Sequence, residues 1–271
     1  MINHEKIGIG IITFNRERTL QKLCSSLDSC VNIDAIVIIN DGAPLEKSFT
    51  HLNVIKNEIN LGVGKSKNKA FRHLLNEECE HIFLIEDDIY IKNSSVFEKY
   101  IAAAKITGIQ HFNYSQHGTA NKTSDGLNAP NSRFIVDYKT TEIALYPHCV
   151  GAFSYYSKRC LDNVGLMDER YYNAWEHVDH TLEIIKGGYH PAFWYFADIP
   201  LSWEYLGDEE WSLSTSTISS NPNHAQVVND ANKIFLEKHG FIPGYGQKPL
   251  PTMAEVLKSL EVIREIHGWR P

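Results

Sequence analysis

Short apolar runs rich in β-branched residues alternate with helix-patterned segments through the first hundred residues, and this alternation limits the fold more than any other feature. Ile7–Phe14, Asp34–Asn40, Leu52–Asn57 and His81–Asp88 read as buried strands. Between and after them lie stretches with helical spacing. Glu17–Leu27 places Leu20, Leu23, Cys24 and Leu27 on one face, and Lys65–Leu75 does the same with Ala70, Phe71, Leu74 and Leu75. A third helix opens near Ser95, where Ser95-x-x-Glu98 has the form of a capping box. The order predicts an α/β fold with a mostly parallel sheet flanked by helices. In such sheets ligands bind at the carboxyl ends of the strands. That rule singles out Thr13–Arg16, Asn40–Gly42 and Glu86–Asp88.

The rest of the chain is less regular. Residues 115–132 are a polar loop or hairpin region, followed by strand signals in RFIVDY and EIALYPHCVGAFSYY. A helix starts at SKRCLDNVG, and a second patterned segment is DERYYNAWEHVDHTLEIIKGG. Residues 205–224, rich in Ser, Thr and Asn, read as a long mobile loop. Helices are expected at about 224–239 and 252–266, the second opened by the capping box Thr252-x-x-Glu255. No repeat or linker divides the 271 residues. One domain is expected, with a ligand-binding half at about 1–110, a second half at 111–204 and a loop with C-terminal helices at 205–271. The net charge of −7, from 26 Lys+Arg against 33 Asp+Glu, argues against a surface that coats nucleic acid. No run reaches the roughly 18–20 apolar residues of a membrane span, and the N-terminus lacks a signal-peptide layout. The five cysteines include no C-x-x-C pair and read as reduced thiols, which favours a cytoplasmic protein and disfavours a cysteine zinc site.

Four clusters carry chemistry. NLGVGKSKN (Asn60–Asn68) looks like a phosphate loop, but G-x-x-x-x-G-K-[ST] requires glycine where Ile59 stands. What remains is a glycine-bearing helix start with Lys65 and Lys67, which suits a diphosphate as well as it suits a solvated lysine pair. Glu86-Asp87-Asp88 ends an apolar strand. Alternation puts Glu86 and Asp88 on one side, a pair suited to Mg2+ or Mn2+; the bland reading is a solvated turn. Asp41 in IINDG could accept the N3–H of uracil or form an Asx turn with Gly42, and Asn15 in TFNR lies near a helix N-cap. Glu176, Asp179, His180 and Glu183 fall at i, i+3, i+4 and i+7, one helix face beside His177. General-base chemistry, a charged exposed face and a zinc site from His177, His180 and Asp179 are the readings there.

Taken together, these segments resemble GT-A glycosyltransferases, closest in pattern to family 2, over about residues 5–200. GIGIITFNRERTLQKLCSSL resembles the family's opening strand, nucleotide-contacting loop and helix, and IVIINDG the strand whose Asp reads uracil. NLGVGKSKNKAF resembles N-x-G-x-(A/G)-x-(A/S)-R-N, with Lys67 in place of Arg and Asn68 retained. FLIEDDIYI resembles the DxD-type motif in an EDD form. VGAFSYYSKRCLDNVGLMDERYYNAWEHVDHTLEI resembles the acceptor-side block that normally ends in GFDERF…EDVDLSLR. The resemblance implies a nucleotide-sugar site built from Thr13, Phe14, Asn15, Arg16, Asp41, Gly62, Lys65, Lys67, Asn68, Glu86 and Asp87. It implies Mn2+ or Mg2+ on Asp88 and a base among Glu176, His177 and Asp179. His177 departs from the family, standing where the catalytic Asp is usual. The implied activity is inverting transfer from a donor, UDP-linked by expectation, to a hydroxyl of a glycan, lipid-linked or other acceptor, with residues 205–224 as a lid. A lipid-linked acceptor would bring a cytoplasmic enzyme to the inner membrane face. A nucleotidyltransferase and a non-catalytic nucleotide-sugar-binding module are the alternatives.

Overall fold

The computed structural model describes residues 5–209, 220–244 and 250–268. β1 (Ile7–Thr13), β2 (Ala35–Asn40), β3 (Val54–Lys56) and β4 (His81–Glu86) form the parallel part of a six-stranded sheet. β9 (Phe153–Ser157) joins β4 antiparallel, and β6 (His111–Asn113) joins β9, giving the order β3-β2-β1-β4-β9-β6. The sheet is buried on both faces, and side chains alternate between them. Ile7, Ile9, Ile11, Ile38, Phe83 and Ile85 enter one core layer with Leu20 and Leu23 of α1 (Glu17–Leu27) and Tyr100 of α3 (Val96–Thr107). Val37, Ile39, Ile82 and Leu84 enter the other, with Ala70, Phe71 and Leu74 of α2 (Val63–Asn76). Near-continuous apolar strands are what a parallel sheet covered on both sides requires.

Glycines in β1 set how closely α2 lies. A Cβ on Gly10 would stand 2.7 Å from Ala70 Cβ, and one on Gly8 would stand 2.7 Å from Cys79 Sγ. A second sheet, β10 (Phe196–Asp198), β8 (Glu142–Tyr146) and β7 (Phe134–Asp137), is antiparallel. α4 (Lys158–Val164) and α5 (Glu176–Lys186) cover the β9 side. α7 (His224–His239) and α8 (Met253–His267) close the chain, and α8 passes so near Gly108 that a Cβ there would meet Ile263 O at 2.5 Å.

The structure corrects several local expectations. β4 stops at Glu86, and Asp87 and Asp88 form a turn into β5 (Ile89–Ile91). Ser95 makes no capping box: Asn93 Oδ1 accepts from its N and Oγ, while Glu98 accepts from Asn32. The Thr252–Glu255 box is present. Within 205–224, Tyr205 closes the short α6 (Ser202–Tyr205), and Leu206–Asp208 is β11, paired antiparallel with β5. Residues 210–219 lie outside the described residues. Among the described residues, no helix is long and apolar enough to cross a membrane, and all five cysteines are free thiols.

Candidate active site

The carboxyl ends of β1, β2 and β4 open into a cleft lined by Thr13, Phe14, Arg16, Asp41, Asn60, Glu86, Asp87, Asn173 and Asn221, among others. Its first wall is the loop after β1. Asn15 adopts a left-handed backbone, φ 55°, and its Oδ1 accepts from Ala43 N at 2.8 Å. A Cβ on Gly42 would stand 2.4 Å from that oxygen, so only glycine lets the two strand-end loops meet. Fixed in this way, Arg16 reaches across to Asp88 Oδ2 at 3.0 Å and Asp87 Oδ1 at 3.2 Å. Asp87 Oδ2 also accepts from Thr13 Oγ1 at 2.7 Å. Burial pushes the Asp87 carboxyl up to about 7; Arg16 counters this and Asp88 adds to it. Asp88 is 6% exposed, and among the described residues its buried Oδ1 has no hydrogen-bond partner.

The acids therefore pair differently from the strand alternation. Because the strand ends first, Asp87 and Asp88 share Arg16, while Glu86 turns to Lys67 at 2.8 Å. Lys67 is fully buried and also donates to Gly151 O at 3.1 Å and Glu176 Oε1 at 3.5 Å. Burial alone would lower its pKa; Glu86 and Glu176 reverse this and raise it. Its ammonium thus ties the end of β4 to α5.

The anion at the start of α2 is Asp41. Its Oδ1 accepts from Leu61 N at 2.7 Å and Asn57 Nδ2 at 2.8 Å, and its Oδ2 from Gly62 N at 2.8 Å. Val63 N donates to Asn173 Oδ1 at 2.9 Å. The helix start is thus filled by the protein's own groups, which corrects the expectation of a diphosphate at those amides. The Asx turn at Gly42 belongs to Asn40, not Asp41: Gly42 N donates to Asn40 Oδ1 at 2.9 Å. Gly62, φ 83°, and Gly64 serve packing, since their Cβ atoms would meet Tyr172 O at 2.4 Å and Tyr171 O at 2.9 Å. Asn68 clamps Met167 through both backbone groups and donates to Glu169, and Lys65 is half-buried near the same carboxylate.

The α5 face is buried rather than exposed, and its groups part company. Glu176 Oε1 accepts from Lys67 and lies 3.0 Å from His177 Nδ1. Burial would raise its pKa; His177 and Lys67 outweigh this and hold it down to about 2. Asp179 binds Lys238 at 2.8 Å, His239 at 2.6 Å and Tyr171 at 3.2 Å, fastening α7 to α5. His180 Nε2 lies 2.9 Å from Gly165 O, and burial lowers its pKa to about 4. These separate engagements dissolve the zinc reading. Among the described residues, no group of three His, Cys, Asp or Glu side chains could hold a metal ion. His177 keeps its ring over Gly151, where a Cβ would be 2.8 Å from its Cγ. Among the described residues its Nε2 carries no hydrogen bond, and its side chain is 22% exposed.

Sequence reasoning missed two groups beside Asp88. His117 Nε2 stands 3.9 Å from Asp88 Oδ2, and His117 Nδ1 lies 2.7 Å from Asp208 Oδ1. Asp208 Oδ2 accepts from Gly118 N at 3.1 Å. Neither residue sits in a motif; one lies in the polar 115–132 stretch and the other where a mobile loop was expected. Only the β5–β11 pairing brings them together.

No protein-family model matches the chain. A curated relative, the uncharacterized glycosyltransferase R363 of Acanthamoeba polyphaga mimivirus, is 25% identical over 256 residues, 87% of this chain and 94% of that protein. Among solved structures, GalNAc-T7 with UDP, GalNAc and Mn2+ aligns with a TM-score of 0.56 at 14% identity, over 98% of this chain and 55% of that one. The mannosyltransferase PcManGT of Pyrobaculum calidifontis, with GDP-Man and Mn2+, gives 0.55 at 10% identity, over 96% and 70%. S. aureus TarS 1–349 with UDP-GlcNAc gives 0.51 at 15% identity, over 97% and 81%. The chain spans about half the length of GalNAc-T7. The chain thus shares the GT-A fold of these solved structures and is similar over most of its length to a protein named a glycosyltransferase.

Proposed function

We propose that the protein transfers a sugar from a nucleoside-diphosphate donor, UDP-linked in the first instance, to an acceptor hydroxyl with inversion, using a divalent cation. The observation that carries this reading is Asp88 Oδ1, a carboxylate oxygen buried without a partner among the described residues, at the carboxyl ends of the parallel strands. A buried, unpaired carboxylate oxygen is costly unless a cation meets it. The donor set suits Mn2+ or Mg2+, because such ions use one or two carboxylates and complete their shell with phosphate and water. Asp88 would hold the ion, with Asp87 beside it. When bound, the ion offsets the charge that develops on the departing diphosphate. UDP with Mn2+ in one structural neighbour and a UDP-sugar in another support the choice of nucleotide.

The chain's own groups supply the rest. Arg16 holds Asp87 and Asp88 in place and adds positive charge at the cleft wall. Phe14, Asn60 and Asn173 line the space for the nucleoside, and Asp41 fixes the loop that carries Asn60. Across the cleft, Glu176 accepts from His177 Nδ1–H, which leaves Nε2 as the lone-pair acceptor. His177 removes the proton from the acceptor hydroxyl, and Glu176 orients the ring and stabilises the imidazolium that results. The engagement of Asp179 with Lys238 and His239 gives that residue a fastening role. A built Glu–His pair favours an enzyme over a binding module. Calorimetric titration with UDP and GDP, each with and without Mn2+, tests the reading. UDP should bind only with Mn2+, and Asp88→Ala should keep its melting temperature while losing that binding and transfer. Full transfer by Asp88→Ala would overturn it.

A further inference from the structure

We propose that His117 is a second protein ligand of the divalent cation, aimed by Asp208. The inference rests on the cation-dependent reading above and names a residue that reading does not require. Three observations carry it. Asp88 Oδ1 is buried and has no partner among the described residues, so the site offers an open anionic lone pair. His117 Nε2 faces the other oxygen of that carboxylate, Oδ2, which also accepts from Arg16, from 3.9 Å, too far for a hydrogen bond. Two donors each about 2.1 Å from one ion stand between about 3 and about 4.2 Å apart, so this spacing suits a shared cation. Finally, His117 Nδ1 is engaged by Asp208 Oδ1 at 2.7 Å. With Asp208 accepting from Nδ1–H, Nε2 is the nitrogen left to face the ion; burial lowers the ring's pKa, but Asp208 and Asp88 outweigh it and raise it, so binding a cation there displaces a proton. A carboxylate behind a ligating histidine is the usual arrangement for fixing ring and tautomer.

Asp208 is itself held. Its second oxygen accepts from Gly118 N, and its backbone pairs with Ile89, the residue after Asp88. The two halves of the site, Asp88 in the turn just before β5 and Asp208 at the end of β11, are therefore held beside each other by one small sheet. With two close side-chain ligands among the described residues, the ion would take the diphosphate to complete its shell. Mn2+ alone should bind weakly, and Mn2+ with UDP at least tenfold more tightly.

The test is pulsed electron paramagnetic resonance of Mn2+ bound with UDP to the full chain, read for coupling to a directly bound 14N nucleus. The wild type should show that coupling, and labelling its histidines with 15N should convert it to the 15N pattern. His117→Gln should bind Mn2+ with UDP at least tenfold more weakly and show no coupling. Asp208→Asn should keep the coupling while its Mn2+ affinity falls about 10- to 100-fold. Bound Mn2+ without nitrogen coupling in the wild type, or coupling that persists in His117→Gln, would overturn the ligand assignment and leave the transferase reading standing. Failure of the wild type to bind Mn2+ with either UDP or GDP would remove both. The 15N-histidine measurement on the wild type decides the matter even if His117→Gln does not fold.

Discussion

His177 and Glu176 are neighbours in sequence with different tasks. Glu176 is 4% exposed and shares Lys67 with Glu86, so it is part of the fold as well as of the site. Glu176→Gln should destabilise the protein by about 3 kcal/mol, because it leaves a buried ammonium short of a counter-charge. Its carboxyl is held down to about 2, below its ordinary range. The stability it contributes is therefore complete above the ordinary glutamate pKa and is lost only as pH falls through that low value. Acid unfolding of Glu176→Gln should lack this component, which urea titrations at several pH values would show. His177→Ala should behave differently: kcat down by about 10²- to 10⁴-fold, donor KM and melting temperature nearly unchanged. A variant that kept wild-type kcat would remove His177 from the chemistry.

At the scale of elements, α2 connects the sheet to the site, since it carries Lys67 and is capped by Asp41. Its seat on β1 depends on two glycines that are not equivalent. A Cβ at Gly10 would meet Ala70 Cβ, which cannot move unless the helix backbone moves. At Gly8 the nearest atoms are Cys79 Sγ and Leu74 Cδ2, outer atoms of side chains. Gly10→Ala should therefore cost about 1–3 kcal/mol by overpacking and weaken donor binding, while Gly8→Ala costs less. Unfolding midpoints and UDP titrations of the two variants check the ranking; equal costs would refute it. The helical spacing of Ala70, Phe71 and Leu74 was plain in the sequence, because one apolar face recurs at a fixed period. The closeness of the approach was not, since it depends on which face of β1 the glycines occupy.

Across the whole molecule, buried titratable groups set opposite pH limits. Burial lowers His180 and His190 to about 4 and His111 well below its usual value, the last also through His190. Below the ordinary histidine pKa of about 6.5, the unfolded chain takes up protons that the folded chain refuses, so stability falls as pH drops from there toward about 4. Asp87 and Asp198 work on the other side. Burial raises both to about 7, so the stability tied to their protonated forms is full at acid pH and lost as pH rises through that value. The two slopes oppose each other between about pH 4 and about 6.5, and above about 7 neither set adds one. Asp198→Asn, which cannot take up that proton, should therefore make the melting temperature of the ligand-free protein rise more steeply from about pH 4 to about 6.5 than it does in the wild type; an unchanged slope would contradict this linkage.

The sequence by itself determined the order of strands and helices and which strand ends carry polar groups. Both are local properties, written in the period of apolar residues and in the acids and loops that interrupt it. It also singled out Thr13–Arg16, Asp41, Glu86–Asp88 and Glu176–Asp179 as candidate site positions, through motif order. Only the tertiary structure decided what each of them touches. Lys67 turned inward to two glutamates, Asp41 capped α2, and Asp179 went to α7, because a buried charge takes the nearest counter-charge and that neighbour comes from a distant segment. His117 and Asp208 stand 91 positions apart with no motif around either. Their meeting beside Asp88 follows from the pairing of β5 with β11, a non-local contact that no local pattern encodes.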